Sequence, residues 1–298
     1  MDKIAPIILF VYNRLEHTKR TVESLLKNTL ASESRLIIFS DGAKNDIDSQ
    51  KVQAVRNYVK TIKGFDRIEI VLRDKNFGLA NSVISGVTEV LKQYDQVIVI
   101  EDDILTSLSF LTFMNKALVF YQENKSIYSI SGYPYPIKIP NTYKKDIFIS
   151  YRSSSWGWGT WKDRWEKVDW EVKDFSSFIS DSKVQNLFDR GGQDLTQMLK
   201  AQMKAKIDSW AIRWGYAHFK NNAYCLYPIV PLCKNIGTDK SGTHSSSSKK
   251  LDVELRVSDR ELILDPSPEL NEEIVSEIQK LFKLTLIRRI INFIKFSS

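Results

Sequence analysis

Cysteine is scarce in the sequence: Cys225 and Cys233 are the only two among 298 residues. Their spacing is neither that of a metal cluster nor that of a disulfide framework, so we expect a protein of a reducing compartment. Two glycine motifs are also missing, Gly-x-Gly-x-x-Gly and Gly-x-x-x-x-Gly-Lys. Their absence argues against a dinucleotide-binding Rossmann site and against a P-loop.

Long apolar runs are missing as well. No stretch is long enough to span a bilayer, and the apolar run at 7–11 is too short for a secretory signal. We therefore expect a cytoplasmic protein. The net charge is +7, but much of the excess lies between 234 and 250 and after 280. Charge confined to these segments does not indicate a nucleic-acid partner.

The sequence does contain a regular alternation of strand and helix patterns. Unbroken apolar runs predict buried strands, and apolar residues recur at helical spacing between them. The predicted elements are strands at 6–11, 35–40, 67–72 and around 97–100, helices at 17–28, 49–62 and 76–92, then a helix at 109–121 and a strand at 127–132. This order predicts an α/β fold with a Rossmann-type, mostly parallel sheet flanked by helices.

Three carboxylates, Glu101, Asp102 and Asp103, directly follow the β-branched run of the fourth strand. Ligands of open α/β sheets bind beyond the carboxyl ends of the strands. Oxygen ligands suit hard cations such as Mg²⁺ or Mn²⁺. The stretch therefore indicates a metal site, and the alternative is a strand that ends in a solvated acidic turn.

Arg14 and Asp41 follow the first and second predicted strands, so they share the crevice with the three carboxylates. Arginine can clamp a phosphate, and aspartate can accept hydrogen bonds from ribose hydroxyls or a base N–H. A nucleotide needs both kinds of group. The alternative for each residue is an ordinary solvated loop position.

A tryptophan- and glycine-rich stretch, 156–161, opens the second half of the chain. For Trp156 and Trp158 two interpretations stay open: exposed rings that stack on sugar faces, or packing beneath a long loop. For Trp161 and Trp165, four apart on a predicted helix, packing is favoured. His218 is also expected to be packed rather than catalytic.

Asp208 stands among Ile207, Trp210 and Ile212, which predicts partial desolvation, a raised pKa and a general-base role. The alternative is a helix N-cap. Further on, the small polar segment 237–248 has the composition of a linker or of a lid. In a lid, Lys240 and His244 would meet phosphates or metal.

The last predicted element is an amphipathic helix that starts near 271 and carries basic residues at 288, 289 and 295. A basic, strongly apolar terminal helix favours binding to an anionic membrane surface. The alternative is a helix docked on the main domain.

Four segments in this order resemble the GT-A-fold glycosyltransferases, in particular the N-acetylglucosaminyltransferase I group and its bacterial relatives. They are Val99–Asp103, Trp156–Trp161, Asp208–Trp210 and Asn235–His244. The resemblance covers residues 5–248. It implies a domain over 1–250, with a nucleotide-sugar half (1–132) and an acceptor half (133–250), before a C-terminal extension at 251–298.

The resemblance also implies roles for individual residues. Asp103 would bind Mn²⁺ (or Mg²⁺) and Asp208 would deprotonate the acceptor hydroxyl, while Trp156 and Trp158 are assigned to the acceptor. The residues assigned to the nucleotide sugar are Arg14, Asp41, Asn76, Glu101, Asp102, Lys240 and His244. Of these, Asn76 falls where the animal enzyme has a histidine near the base.

These roles predict an inverting, metal-dependent glycosyltransferase that uses a UDP-sugar. We expect it to extend a glycan or lipid-linked oligosaccharide at the inner face of a bacterial plasma membrane. Two alternatives stay open: a nucleotidyltransferase that makes sugar nucleotides, and a non-catalytic sugar-binding or membrane-recruiting partner of a polysaccharide assembly complex.

Overall fold

The computed structural model describes residues 4–237, 249–256 and 260–284. Within these residues an eight-stranded sheet has the spatial order β3-β2-β1-β4-β8-β6-β9-β7. Its strands, in chain order, are β1 (Ile7–Val11), β2 (Arg35–Ser40), β3 (Arg67–Leu72), β4 (Gln96–Glu101), β6 (Ile127–Ser131), β7 (Ile147–Ser150), β8 (Trp158–Trp161) and β9 (Tyr224–Pro228), while β5 (Ile104–Thr106) and β10 (Cys233–Asn235) form a separate pair.

Strands β1 to β4 form the parallel part of the sheet. Ile7 pairs with Leu36 on one side and with Ile98 on the other, in parallel register. Strands β1, β2 and β4 are apolar and almost fully buried because helices cover both sides of a parallel sheet, whereas the edge strand β3 is half-buried. The predicted α/β fold with a mostly parallel sheet is confirmed.

Helices of the described chain cover both faces of the sheet. In chain order they are α1 (Leu15–Leu26), α2 (Asp46–Val59), α3 (Leu79–Leu91), α4 (Phe110–Phe120), α5 (Lys162–Trp165), α6 (Phe175–Ser180), α7 (Ser182–Phe188), α8 (Leu195–Met203), α9 (Trp210–Lys220) and α10 (Glu272–Leu281). Apolar residues of α1, α2, α4 and α10 pack into the core on one face. Those of α3 and α9 pack on the other.

Strand β8 corrects the prediction of a long loop around 156–161. It lies antiparallel between β4 and β6, in the middle of the sheet. Gly159 makes this position possible, because a Cβ there would come within 2.9 Å of the Val97 carbonyl oxygen. The prediction failed because alternation cannot be seen in a strand that carries large side chains on both faces.

The described part of the C-terminal extension docks on the domain. Asn271 caps α10 by accepting a hydrogen bond from the Ile274 amide, and Ile274 and Ile278 enter the same core as β1. The basic residues at 288, 289 and 295 lie outside the described residues. No helix in the described segments is long and apolar enough to cross a membrane.

Candidate active site

An acidic cluster lies at the carboxyl end of β4, between β1 and β8. Glu101 is the last residue of β4, and Asp102 and Asp103 connect it to β5. Asp102 is 4% and Asp103 8% exposed. A solvated acidic turn, the alternative considered from the sequence, is therefore wrong for these two carboxylates.

Arg14, directly before α1, is the countercharge of the cluster. Its Nη2 contacts Asp102 Oδ1 and lies 2.9 Å from Asp103 Oδ2. Burial alone would lower the pKa of the guanidinium, but the attraction of Asp102 and Asp103 outweighs burial and raises it. The structure thus brings Arg14 to the carboxylates, as the shared crevice predicted.

Within the described part of the chain, one arginine does not balance the three carboxylates, of which Asp102 and Asp103 are buried and Glu101 is half-buried. Burial, followed by repulsion from Asp103 and Asp102, raises the pKa of Glu101. Burial also raises the pKa of Asp102, against the attraction of Arg14. Additional positive charge in this crevice would stabilise the ionised form of these carboxylates.

Two buried polar atoms of the cluster, Asp103 Oδ1 and Arg14 Nη1, have no hydrogen-bond partner among the residues that the structure describes. Gly237 lies against the same carboxylate, because a Cβ at this position would come within 2.1 Å of Asp103 Oδ2. Buried polar atoms normally have partners, so this pair indicates a ligand position. The described residues contain no group of three His, Cys, Asp or Glu side chains that could hold a metal alone. Mg²⁺-type sites commonly use one or two carboxylates together with substrate phosphates, which Asp103 fits.

Asp41 lies at the carboxyl end of β2, and its carboxylate is hydrogen-bonded to the loop between β3 and α3. It accepts hydrogen bonds from the backbone amides of Phe77 (2.9 Å) and Gly78 (3.1 Å), just before α3. Asn76 Nδ2 donates to the Gly42 carbonyl oxygen at 2.8 Å. Asp41 and Asn76 therefore shape the crevice wall by tying the loops after β2 and β3 together.

Arg73 was not identified from the sequence. It follows β3, is 8% exposed, and lies over the Phe77 ring at 4.1 Å. Its Nη1 is buried and has no hydrogen-bond partner in the described segments, and burial lowers the pKa of the guanidinium. The sequence could have indicated Arg73, since it is a polar residue that comes after a predicted strand, as Arg14 and Asp41 are.

Asp208 lies two residues before α9. Two expectations for it are wrong: its side chain is exposed rather than desolvated, and Ser209 is the N-cap, accepting from the Ile212 amide at 3.3 Å. Asp208 Oδ2 is nevertheless 3.4 Å from the position of a Cβ on Gly78, at the start of α3. The carboxylate therefore lies beside the loop that Asp41 holds.

The tryptophans divide into packed and accessible rings. Trp158 is fully buried, with ring centroids 5.0 Å from Trp210 and 5.8 Å from Trp165. The interpretation of Trp158 as an exposed sugar-stacking ring is corrected, because β8 places it in the core. Trp161 and Trp165 are packed as predicted, although Trp161 ends β8 rather than lying on a helix. Trp156 is half-buried beside Tyr133.

His218 is packed, as predicted. Its Nδ1 donates to the Trp214 carbonyl oxygen and its Nε2 accepts from the Ser129 hydroxyl, both at 2.8 Å. Complete burial lowers its pKa to about 4. The candidate residues Lys240 and His244 lie outside the described residues.

A sheet of this topology with an acidic crevice beyond β4 defines a GT-A-like domain. Residues 7–179 match the family described as Glycosyl transferase family 2, which is more than half of the chain. The chain therefore belongs to glycosyl transferase family 2, and the prediction of a glycosyltransferase domain is confirmed. Comparison with curated proteins gives no match.

Two solved structures align with part of this chain. The mannosyltransferase PcManGT from Pyrobaculum calidifontis, in complex with GDP-Man and Mn²⁺, aligns with a TM-score of 0.40 and 13% identity over 56% of this chain and 46% of that chain. TarS from S. aureus aligns with a TM-score of 0.38 and 15% identity over 56% of this chain and 30% of that chain. The chain thus matches half or less of these relatives.

Proposed function

We propose that this chain is an inverting, metal-dependent glycosyltransferase that moves a sugar from a UDP-sugar to a hydroxyl group of a glycan or lipid-linked oligosaccharide. The reaction would serve bacterial surface polysaccharide or glycoconjugate synthesis, as the sequence resemblance to relatives of the N-acetylglucosaminyltransferase I group suggests. The observation that carries the proposal is the buried acidic cluster with the unpartnered oxygen of Asp103 beside Arg14.

The proposed donor site is the crevice at the ends of β1 to β4. Asp103 would hold Mn²⁺ or Mg²⁺, which would neutralise the charge that grows on the leaving diphosphate. Glu101 and Asp102 would contact the sugar and the ribose. The proposed nucleotide contacts of the surrounding loops are Arg14, Asp41, Asn76 and, from the structure, Arg73. Lys240 and His244 are proposed to meet the diphosphate.

Asp208 is proposed as the general base. Its exposed carboxylate beside Gly78 is open to an incoming hydroxyl group, which supports this role. A carboxylate oxygen of Asp208 would take the proton of the acceptor hydroxyl while the acceptor oxygen attacks the anomeric carbon from the face opposite the diphosphate. A single displacement of this kind inverts the anomeric centre and needs no enzyme nucleophile.

The setting of the enzyme is part of the proposal. We place it in the cytoplasm at the inner membrane face, with residues 1–250 as the catalytic domain. The basic residues after 284 would bind anionic lipid. If deletion of residues 285–298 left sedimentation with anionic liposomes unchanged, this membrane role would be wrong.

The test of the function is release of UDP from a panel of UDP-sugars, with Mn²⁺ or with EDTA. We expect slow, sugar-selective and metal-dependent release that is lost in Asp103→Ala. Asp95→Ala is the matched control, because Asp95 is an exposed carboxylate at the other end of β4. Release that continues in EDTA, or in Asp103→Ala, would overturn the proposal.

A further inference from the structure

A second concave site lies beside the acidic cluster. Five aromatic rings contribute to its wall, and it encloses about 180 Å³. Sites for drug-sized ligands span about 300–1,000 Å³, so this volume suits a single ring rather than an extended molecule. The aromatic residues of the wall are Tyr133, Tyr135, Tyr151, Trp156 and Phe282.

Strand β10 connects this pocket to the acidic cluster. The Trp156 carbonyl oxygen accepts a hydrogen bond from Cys233 Sγ at 3.5 Å, at the start of β10. At its other end Asn235 pairs with Ile104, and the next amide, of Ile236, donates to the Asp103 carbonyl oxygen at 2.8 Å. A ligand in the pocket would therefore lie next to the crevice, separated from Asp103 by the length of one short strand.

Three cations lie at or behind the pocket wall: Arg152 lines it, Arg190 lies over the Tyr151 ring at 4.0 Å, and Lys250 Nζ lies 5.9 Å from the centre of the Phe282 ring. Among the described residues that line it, Arg152 is the only charged one. Its Nη1 and Nη2 donate to Asp194 at 2.8 and 2.9 Å, and Phe282 lies against the guanidinium at 3.5 Å. The arginine is thus already paired and covered. The uncharged polar groups of the lining are the tyrosine hydroxyls and the hydroxyls and backbone of 153–155, which can hydrogen-bond with sugar hydroxyls.

The C-terminal extension supplies one wall of the pocket. Leu251 is fixed by the Tyr133 hydroxyl, which donates to its carbonyl oxygen at 2.5 Å. Phe282, directly after α10, meets the Tyr135 ring edge-on at 5.0 Å. The Leu284 amide donates to Gln193 at 3.2 Å and holds this end of the chain in place. Residues on both sides of 250 therefore form one binding surface.

We propose that this pocket binds one uncharged sugar ring of the acceptor, and that Phe282 of the C-terminal extension selects it together with Trp156 and Tyr151. Flat rings lining a pocket present faces on which the apolar face of a pyranose can stack. The proposal rests on the proposed glycosyltransferase function, and it assigns acceptor choice to a part of the chain outside the matched family segment.

The test uses saturation-transfer NMR on the full chain with UDP and Mn²⁺ present. The probes are the methyl glycosides of glucose, galactose and N-acetylglucosamine, with methyl glucuronide as the anionic counterpart. We expect signal from at least one neutral glycoside and none from the glucuronide. Loss of one stacking ring in Trp156→Ala or Phe282→Leu should weaken binding about tenfold. Phe120→Ala, a half-exposed ring on α4, is the control.

UDP affinity and thermal unfolding of the same samples separate the two proposals. If the wild type binds no UDP, the proposed function fails, whatever the glycosides do. If UDP binds but no neutral glycoside does, or if the glucuronide binds equally well, the pocket assignment is wrong. Phe282→Leu keeps an apolar contact with Arg152, so a folded variant with unchanged glycoside affinity would also overturn it.

Discussion

The donor crevice and the aromatic half of the molecule are built in different ways. The crevice consists of polar side chains at or shortly after the carboxyl ends of β1 to β4. In the aromatic half, Trp158 of β8 packs against Trp210 and Trp214 of α9, about fifty residues later in the chain. Among the described residues, the crevice contains buried charged groups and polar atoms without a hydrogen-bond partner. In the aromatic half, the side chains pack against one another and line one pocket.

This difference separates the places where substitution should affect chemistry from those where it should affect stability. A buried charge without a full countercharge lowers the stability of the fold. Such a charge is therefore expected at a site where a bound ligand supplies the missing opposite charge. A cluster of rings without charge needs no ligand. We therefore expect substitutions in the crevice to respond to metal, and substitutions in the tryptophan cluster to be independent of it.

The largest effect is expected for Trp158→Ala. Removal of a fully buried tryptophan lowers the free energy of unfolding by about 3–5 kcal/mol. We expect a value at the upper end, because the three neighbouring indoles cannot all move into the cavity. Urea unfolding measures the loss. Trp156→Ala should lose less than half as much, and Mn²⁺ should change neither value. Equal losses in the two variants would mean that the division into packed and accessible rings is wrong.

The second-largest effect on the free energy of unfolding is expected for Arg14→Met. Removal of one partner of a buried ion pair costs about 3–5 kcal/mol, and the 16% exposure of the Arg14 side chain places it at the lower end. Because Asp102 and Asp103 then lack their countercharge, Mn²⁺ should restore part of the lost stability. The measurement is thermal unfolding with and without Mn²⁺.

Arg67→Met is the control for Arg14. Arg67 pairs with Glu69 at 3.0 Å, but the two side chains are 62% and 40% exposed, and exposed pairs contribute at most about 1 kcal/mol. Mn²⁺ should not affect this variant. A metal response of the same size in both variants would show that the ion does not act at the crevice.

His218 gives a pH test within the aromatic half. Its pKa is about 4 in the fold against an ordinary value of 6.5, so the unfolded chain binds a proton that the folded chain does not at intermediate pH. Stability that is present above pH 6.5 is therefore lost as the pH falls towards 4, by about 3 kcal/mol. His218→Gln should flatten the pH dependence of unfolding by this amount. An unchanged slope would contradict the burial of a neutral ring.

The smallest of these effects is expected for Asp208→Asn. General bases contribute about 10²–10⁴-fold, and because solvent reaches Asp208, water can replace part of its role, so we expect about 10²-fold lower transfer. UDP affinity should stay unchanged. Glu166→Gln, an exposed carboxylate just after α5, is the control. A matching loss of UDP affinity would assign Asp208 to the donor instead.

The sequence predicted the parallel part of the fold well because its signals are local. The ranges predicted for the second and third strands, 35–40 and 67–72, are those of β2 and β3, and Arg14 meets the carboxylates that follow β4. The position of β8 and the burial of Trp158 were missed because they depend on contacts with α9. Asp208 was misjudged for the same reason: Trp210 and Ile212 pack into two different cores, and the carboxylate two residues before Trp210 is exposed.

The most direct test of the central claim is calorimetric titration of UDP into the protein with Mn²⁺ and with EDTA, for the wild type, Asp103→Asn and Asp95→Asn. The predicted result is UDP binding that requires Mn²⁺ in the wild type and in Asp95→Asn, and that is lost in Asp103→Asn. Binding of equal strength in all three proteins, or binding indifferent to EDTA, would contradict the assignment of the acidic cluster as the donor site.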